Sequence, residues 1–316
     1  PDGTRVTATV PRHATSGPVT VVAPDGTFSS SDRLTVRSTR STGGFSFANY
    51  GGDDASLDDL RLVYGDDQVN VTVDVCWPFG CNVVTPIPSP FAYLYEKLSN
   101  ALLVGGGSCF GIALTSQQLA EGQLGLRRFT PAGATTVWQL DGPGGPADAL
   151  LHRIRGVHST QLSSEFLQFW AARATANRVN GADVTISTIT EQLHRGHRPL
   201  ITLANSPGQG HALVATDIRG GPDGTTLVDV DDPNLPFLAG EDGPGSLHAD
   251  REDAGVVTVR PDGHWTYTGA FSPSWSGGPG SMVAVPWGTV PARPTMPTTL
   301  GGLLSLVVPF ASAGTP

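Results

Sequence analysis

Apolar and polar positions follow a two-residue period at the start of the chain, a longer helical period in the middle, and a two-residue period again towards the end. Over residues 1–39, RVTATV, PVTVVA and RLTVR alternate between turn-forming stretches such as PRHATSG and PDG, which predicts short strands joined by tight turns. STRSTGG (38–44) reads as a linker. Farther on, FAYLYEKLSNALL (91–103), CFGIALTSQQLAEG (109–122), PADALLHRIRG (146–156), SSEFLQFWAARATANR (163–178) and ISTITEQLHRG (186–196) space their apolar residues for helices. Gly122 and Gly196 stand where two of these helices end. Six strands then follow: RPLITLA (198–204), HALVATDI (211–218), TTLVDV (225–230), GVVTVR (255–260), HWTYTG (264–269) and SMVAVPW (281–287). Helices first and an antiparallel run of strands afterwards is an α+β layout.

Composition narrows the classes of function. The 316 residues carry 39% apolar and only 15% charged side chains, with 40 Gly and 26 Pro, which fits a packed but loop-rich protein. The net charge of −9 comes without any basic run, so nothing offers an electrostatic footprint for nucleic acid or anionic lipid. No apolar stretch reaches the roughly 18 residues of a membrane-spanning helix. The chain opens PDGTRV, without Met or a signal-peptide pattern, and reads as an excerpt of a longer polypeptide.

There are three cysteines. Cys76 and Cys81 flank WPFG, a turn-like segment, so a local disulfide is feasible; closing so small a loop stabilises by about 2 kcal/mol. That pairing implies an exported protein and leaves Cys109 as an odd thiol, either a cross-link or a reactive group.

Cys109 stands at a predicted helix start, behind glycines 105–107. Unpaired N–H groups and the macrodipole favour an anion there, the form in which a thiol attacks. His211 opens a predicted strand after GQG, and the acidic group DVDDPN (229–234) closes the next one. A nucleophilic thiol needs an imidazole to take its proton, and the imidazole needs an acceptor to fix its tautomer. Cys, His and Asp or Asn in this order meet those needs.

GSCFGIAL resembles the helix-opening nucleophile motif of papain-like cysteine peptidases. GHALVATDI resembles their His-Ala strand, and VDVDDPN the strand-end Asp-Pro of the bacterial C39-like branch. The resemblance spans roughly residues 95–290. It implies a papain-like helical lobe plus an antiparallel sheet, with Cys109 as nucleophile, His211 as general base and acid, and Asp232 as orienting group. Asn234 and Asp229 are the alternatives for that third place. The Cys109 backbone N–H would be one oxyanion donor. The family usually places a Gln six residues before the Cys; here Leu103 holds that position. Gln161 or a residue of 105–108 is a possible replacement. Separately, VPRHATSGPVTVVAPDG and the closing LTV resemble the later half of an IPT/TIG immunoglobulin-like domain, which implies a partial β-sandwich and a module that can hold a cell-surface ligand.

The expected organisation is therefore a partial IPT/TIG-like domain over 1–39, a papain-like hydrolase domain over 40–290, and a Pro/Gly-rich linker or tail over 291–316. The expected function is a secreted or cell-surface thiol hydrolase that cleaves peptide or amide bonds without a cofactor, its partner a peptide or protein substrate. The alternatives are an inactive papain-like domain in an adhesion protein, and transglutaminase-like acyl transfer. Calcium at 229–232 is disfavoured because Pro233 and Asn234 break EF-hand spacing. His194 and His197 have possible metal spacing but no accompanying ligand motif, which favours a role at the helix end. GGSCF lacks the last glycine of a serine-hydrolase elbow.

Overall fold

Helix-period and strand-period segments form two layers in the computed structural model, which describes residues 17–34, 43–51, 54–77, 80–103, 107–131, 133–142, 144, 148–206, 209–235, 255–269 and 275–297. The fold is α+β. Strands β1 (Gly17–Ala23) and β2 (Gly26–Leu34) form an antiparallel pair. The expected strand RVTATV and most of the linker lie outside the described residues.

Helix α1 (Leu57–Tyr64) starts on a reciprocal cap, in which the Asp59 N–H donates to Ser56 Oγ at 3.2 Å and the Ser56 N–H to Asp59 Oδ2 at 2.8 Å. A single helical turn, α2 (Asp66–Val69), leads into the antiparallel hairpin β3 (Asn70–Trp77) and β4 (Gly80–Pro88). Its register sets Cys76 opposite Cys81, while the side chains of both lie outside the description. Then come α3 (Pro90–Leu103), α4 (Cys109–Ala120), α5 (Ala149–Ser159), α6 (Ser164–Asn180) and α7 (Asp183–His194). Asp148 and Ser163 cap α5 and α6 through their side chains.

Seven strands build the main sheet: β5 (Leu200–Ser206), β6 (Gln209–Gly220), β7 (Thr226–Asp231), β8 (Val256–Val259), β9 (Trp265–Thr268), β10 (Trp275–Gly277) and β11 (Met282–Val285). Their order is β10-β9-β8-β7-β6-β5-β11, with every neighbouring pair antiparallel. The sheet curls until β10 also meets β5.

Both faces of the sheet are covered, as the unbroken burial of His211 to Ala215 along β6 indicates. Ala212 and Val214 pack with Cys109, Phe110, Ala113 and Leu114 of α4. Leu213 and Ala215 pack with Ile189 of α7 and with Trp265 and Tyr267 inside the curl. Helix α4 is buried from Cys109 through Leu119, so it has no solvent stripe and forms the centre of the helical layer. Gly111 and Gly156 let α4, α5 and α1 approach closely: a Cβ on Gly111 would collide with the Ile154 carbonyl, and one on Gly156 with the Asp59 carbonyl.

Residues 291–297, which the sequence reading assigns to a linker or tail, pack against the helices. Met296 is buried in the core around α1 and α4, its N–H donates to Gln68 Oε1 at 2.8 Å, and the Ser164 N–H donates to the Thr295 carbonyl at 3.3 Å.

Candidate active site

Cys109 is the first residue of α4 and only 6% exposed. A hydrogen bond joins its side chain to that of His211, the third residue of β6. The helix start and the strand start therefore meet at the rim of the sheet, although β6 and α4 are separated by about ninety residues.

The other side of the ring is anchored. His211 Nε2 lies 2.7 Å from Asp232 Oδ1, with both side chains almost fully buried. With Nε2 occupied, Nδ1 is the ring nitrogen left for the thiol. Asp232 follows the end of β7 and opens a turn: its carbonyl accepts the Leu235 N–H at 2.9 Å, and its Oδ1 also accepts the Asn234 N–H at 2.7 Å. The Tyr267 hydroxyl of β9 donates to Oδ2. Trp275 of β10 closes the group edge-on, its ring 6.0 Å from that of His211.

Of the three acidic or amide side chains that the sequence offers as the third member, Asp232 is the one bonded to the ring. Asn234 contributes its backbone amide to that carboxylate. Asp229 sits back along β7 beside Arg219, at 3.7 Å. Asp231 is 3.4 Å from Arg198.

These contacts set the charges. Burial alone pushes the His211 imidazole down, but the Asp232 carboxylate, the bond to it and the Cys109 side chain outweigh burial and raise it to about 10. For Asp232, burial pushes upward, but the imidazole, the Tyr267 hydroxyl and the Asn234 N–H together hold its carboxyl below the usual range. A carboxylate facing an imidazolium at neutral pH is the consistent assignment.

The first backbone N–H groups of α4 are shared out unevenly. The Ser108 N–H donates to Asn49 Oδ1 at 2.9 Å, and the Gly111 N–H to His158 Nδ1 at 3.3 Å. His158 is buried, and desolvation outweighs its contact with the Leu103 carbonyl, lowering it to about 4; it is a neutral acceptor. No acceptor among the described residues takes the Cys109 N–H, the group the papain-like resemblance offers as an oxyanion donor.

Leu103, where a Gln stands in the papain-like pattern, offers only its carbonyl, to His158 Nε2 at 3.5 Å. Gln161 turns its amide to the His158 carbonyl at 3.1 Å and to that imidazole. It is therefore engaged behind the helix. Gly107 has φ +85°, a left-handed conformation that favours glycine.

His194 and His197 do not converge. His197 Nδ1 lies 2.8 Å from Glu121 and its ring stacks on Trp287. No group of three metal-binding side chains occurs among the described residues, and no described helix is long and apolar enough to cross a membrane. Among the tryptophans, Trp265 is core and bonds Ser281 at 2.9 Å, while Trp170 is half-buried and bonds Thr202 at 3.0 Å.

Three partners of the site escape a reading of the sequence. Tyr267 and Trp275 arrive through the curl of the sheet, and Asn49 arrives from a segment some sixty residues before the thiol. A lone polar residue in FSFANYGG gives no periodic or motif signal.

Comparison with protein-family models, with curated proteins and with solved structures gave no match to this chain.

Proposed function

We propose that this protein is a thiol hydrolase of papain-like type that cleaves peptide or other amide bonds by acyl transfer. One observation carries the reading: a thiol at a helix start is hydrogen-bonded to a buried imidazole whose far nitrogen is held 2.7 Å from a buried carboxylate. A thiol that serves only packing requires no such chain of partners.

In this mechanism the proton of Cys109 already rests on His211, and the sulfur attacks the carbonyl carbon as the thiolate of that ion pair, forming a C–S bond. The resulting oxyanion collapses, His211 protonates the departing amine, and a thioester remains. Water then attacks the thioester, losing a proton to His211 and releasing the acid and Cys109. Asp232 fixes the ring orientation that presents Nδ1 to sulfur and, once the ring has given its proton to the amine, keeps the remaining proton on Nε2. No step needs a cofactor. Secretion or surface display is part of the same proposal. So is an immunoglobulin-like N-terminal module, for which the β1–β2 pair is support only at the level of strand formation.

A second reading keeps the side chains but not the turnover: a surface binding protein with an inactive papain-like domain. Leu103 at the position usual for Gln favours it.

Alkylation with iodoacetamide as a function of pH separates the two. The enzyme reading predicts that Cys109 is alkylated rapidly at pH 6 and that His211→Ala abolishes this reactivity at that pH. A thiol inert in the folded protein at every pH supports the binding-protein reading.

A further inference from the structure

The geometry points to Asn49 as the second oxyanion donor of this site, its side-chain amide acting beside the Cys109 N–H in place of the Gln that Leu103 displaces. The inference rests on the thiol-hydrolase reading and gives that site a residue it otherwise lacks.

Asn49 is fixed on two sides. Its backbone N–H donates to the carbonyl of Pro233, the residue after Asp232, at 2.6 Å. Its Oδ1 accepts the Ser108 N–H at 2.9 Å, directly before the nucleophile, and the neighbouring Tyr50 carbonyl lies 3.3 Å from the same N–H. One residue thus ties the strand-end turn carrying the orienting carboxylate to the helix start carrying the thiol.

With Oδ1 committed as an acceptor, the amide's only remaining polar group is Nδ2, which can only donate. No hydrogen bond of Nδ2 occurs among the described residues. Nδ2 lies 2.8 Å from where a Cβ on Gly107 would stand, so the amide rests against bare backbone two residues before Cys109. A side chain at 107 would occupy that space. The left-handed φ of +85° and the close approach of Asn49 both require glycine there.

A tetrahedral intermediate on Cys109 carries its negative oxygen near the start of α4, where the N–H groups of Ser108 and Gly111 already have acceptors and that of Cys109 has none among the described residues. A second donor fixed before the reaction stabilises that charge without reorganising. Asn49 Nδ2 is neutral, half-buried and held by the bond its own oxygen makes.

The test compares two probes of the same sulfur. Iodoacetamide is displaced at carbon: a C–S bond forms, iodide leaves, and no oxyanion develops. p-Nitrophenyl acetate is attacked at a carbonyl: the C–S bond forms through an oxyanion, and nitrophenolate leaves. Asn49→Ala is expected to lower the acylation rate by about 10²–10³-fold, with alkylation changed less than about threefold. If Asn49→Ala does not fold, Asn49→Asp keeps an acceptor for Ser108 and removes the donor. Its ratio of acylation to alkylation is expected to fall by a similar factor.

Equal losses in both rates, or no loss in either, overturn the role of Asn49 and leave the hydrolase reading in place. A wild-type protein that reacts with neither probe overturns both.

Discussion

His211 and Asp232 are bonded on a diagonal. The ladder between β6 and β7 pairs Val214 with Asp231 and Ala215 with Val230, and continuing it would set Asn234 opposite His211. Asp232 shares that face two positions away, within side-chain reach, and the chain turns immediately after β7 so that Oδ1 meets Nε2 at 2.7 Å. The Asn that a straight ladder would bring to the ring instead supplies only its N–H to the carboxylate.

Substitutions at these two positions are therefore expected to differ sharply. Asp232→Ala leaves a buried imidazole without its partner and should destabilise the protein by about 3–5 kcal/mol in urea unfolding. Asn234→Ala retains the backbone bond and should cost less than about 1 kcal/mol. Equal costs at the two positions would mean that the diagonal bond does not organise the site.

Tyr267 acts through Asp232. Tyr267→Phe removes one donor from a buried carboxylate, for an expected loss of about 1–3 kcal/mol. That donor also helps hold the Asp232 carboxyl low, so its removal should move the acid limb of Cys109 alkylation to higher pH. A stability loss with an unmoved acid limb would assign Tyr267 to packing alone.

His158 makes stability depend on pH below neutrality. It is neutral in the folded state down to about pH 4, whereas the unfolded chain protonates it near 6.5. The unfolded state therefore binds more protons between those values, and stability falls as pH falls through that window, by about 3 kcal/mol at its acid end. His158→Gln should flatten this part of the profile in urea unfolding measured from pH 7 to 4. An unchanged slope would show that another group carries it.

Gly111→Ala tests the approach of α4 to α5. Intrinsic helix preference favours Ala by about 1 kcal/mol, yet the added methyl would collide with the Ile154 carbonyl and lie 2.9 Å from His158 Cβ. Overpacking should win, with a net loss of about 1–3 kcal/mol by thermal unfolding. A stabilised variant would show that the helices separate easily.

Periodicity located the elements that carry the thiol and the imidazole. The segments CFGIALTSQQLAEG and HALVATDI form α4 and β6 with ends shifted by a few residues, and Gly122 and Gly196 do adopt left-handed φ after their helices. Helix α1 leaves little trace in the sequence, because eight residues hold barely two turns and its start signal is an Asp where Glu or Gln is the usual cue. Of the β3–β4 hairpin, only the turn between Cys76 and Cys81 shows in the sequence. Val71, Val73 and Ile87 are exposed, so its alternation does not divide core from solvent. Cys109, His211 and Asp232 were legible because each sits at an element end beside glycine or proline. Tyr267, Trp275 and Asn49 were not, because a curled sheet and a crossing segment bring them in, and neither leaves a trace in local pattern.

The most direct measurement is the NMR titration of the His211 ring in the folded protein, assigned by comparison with His211→Gln. The bonded carboxylate and thiol predict an imidazolium that persists through neutral pH and loses its proton only near pH 10. A ring that titrates near its ordinary 6.5 would contradict the Cys109–His211–Asp232 arrangement on which the proposed chemistry stands.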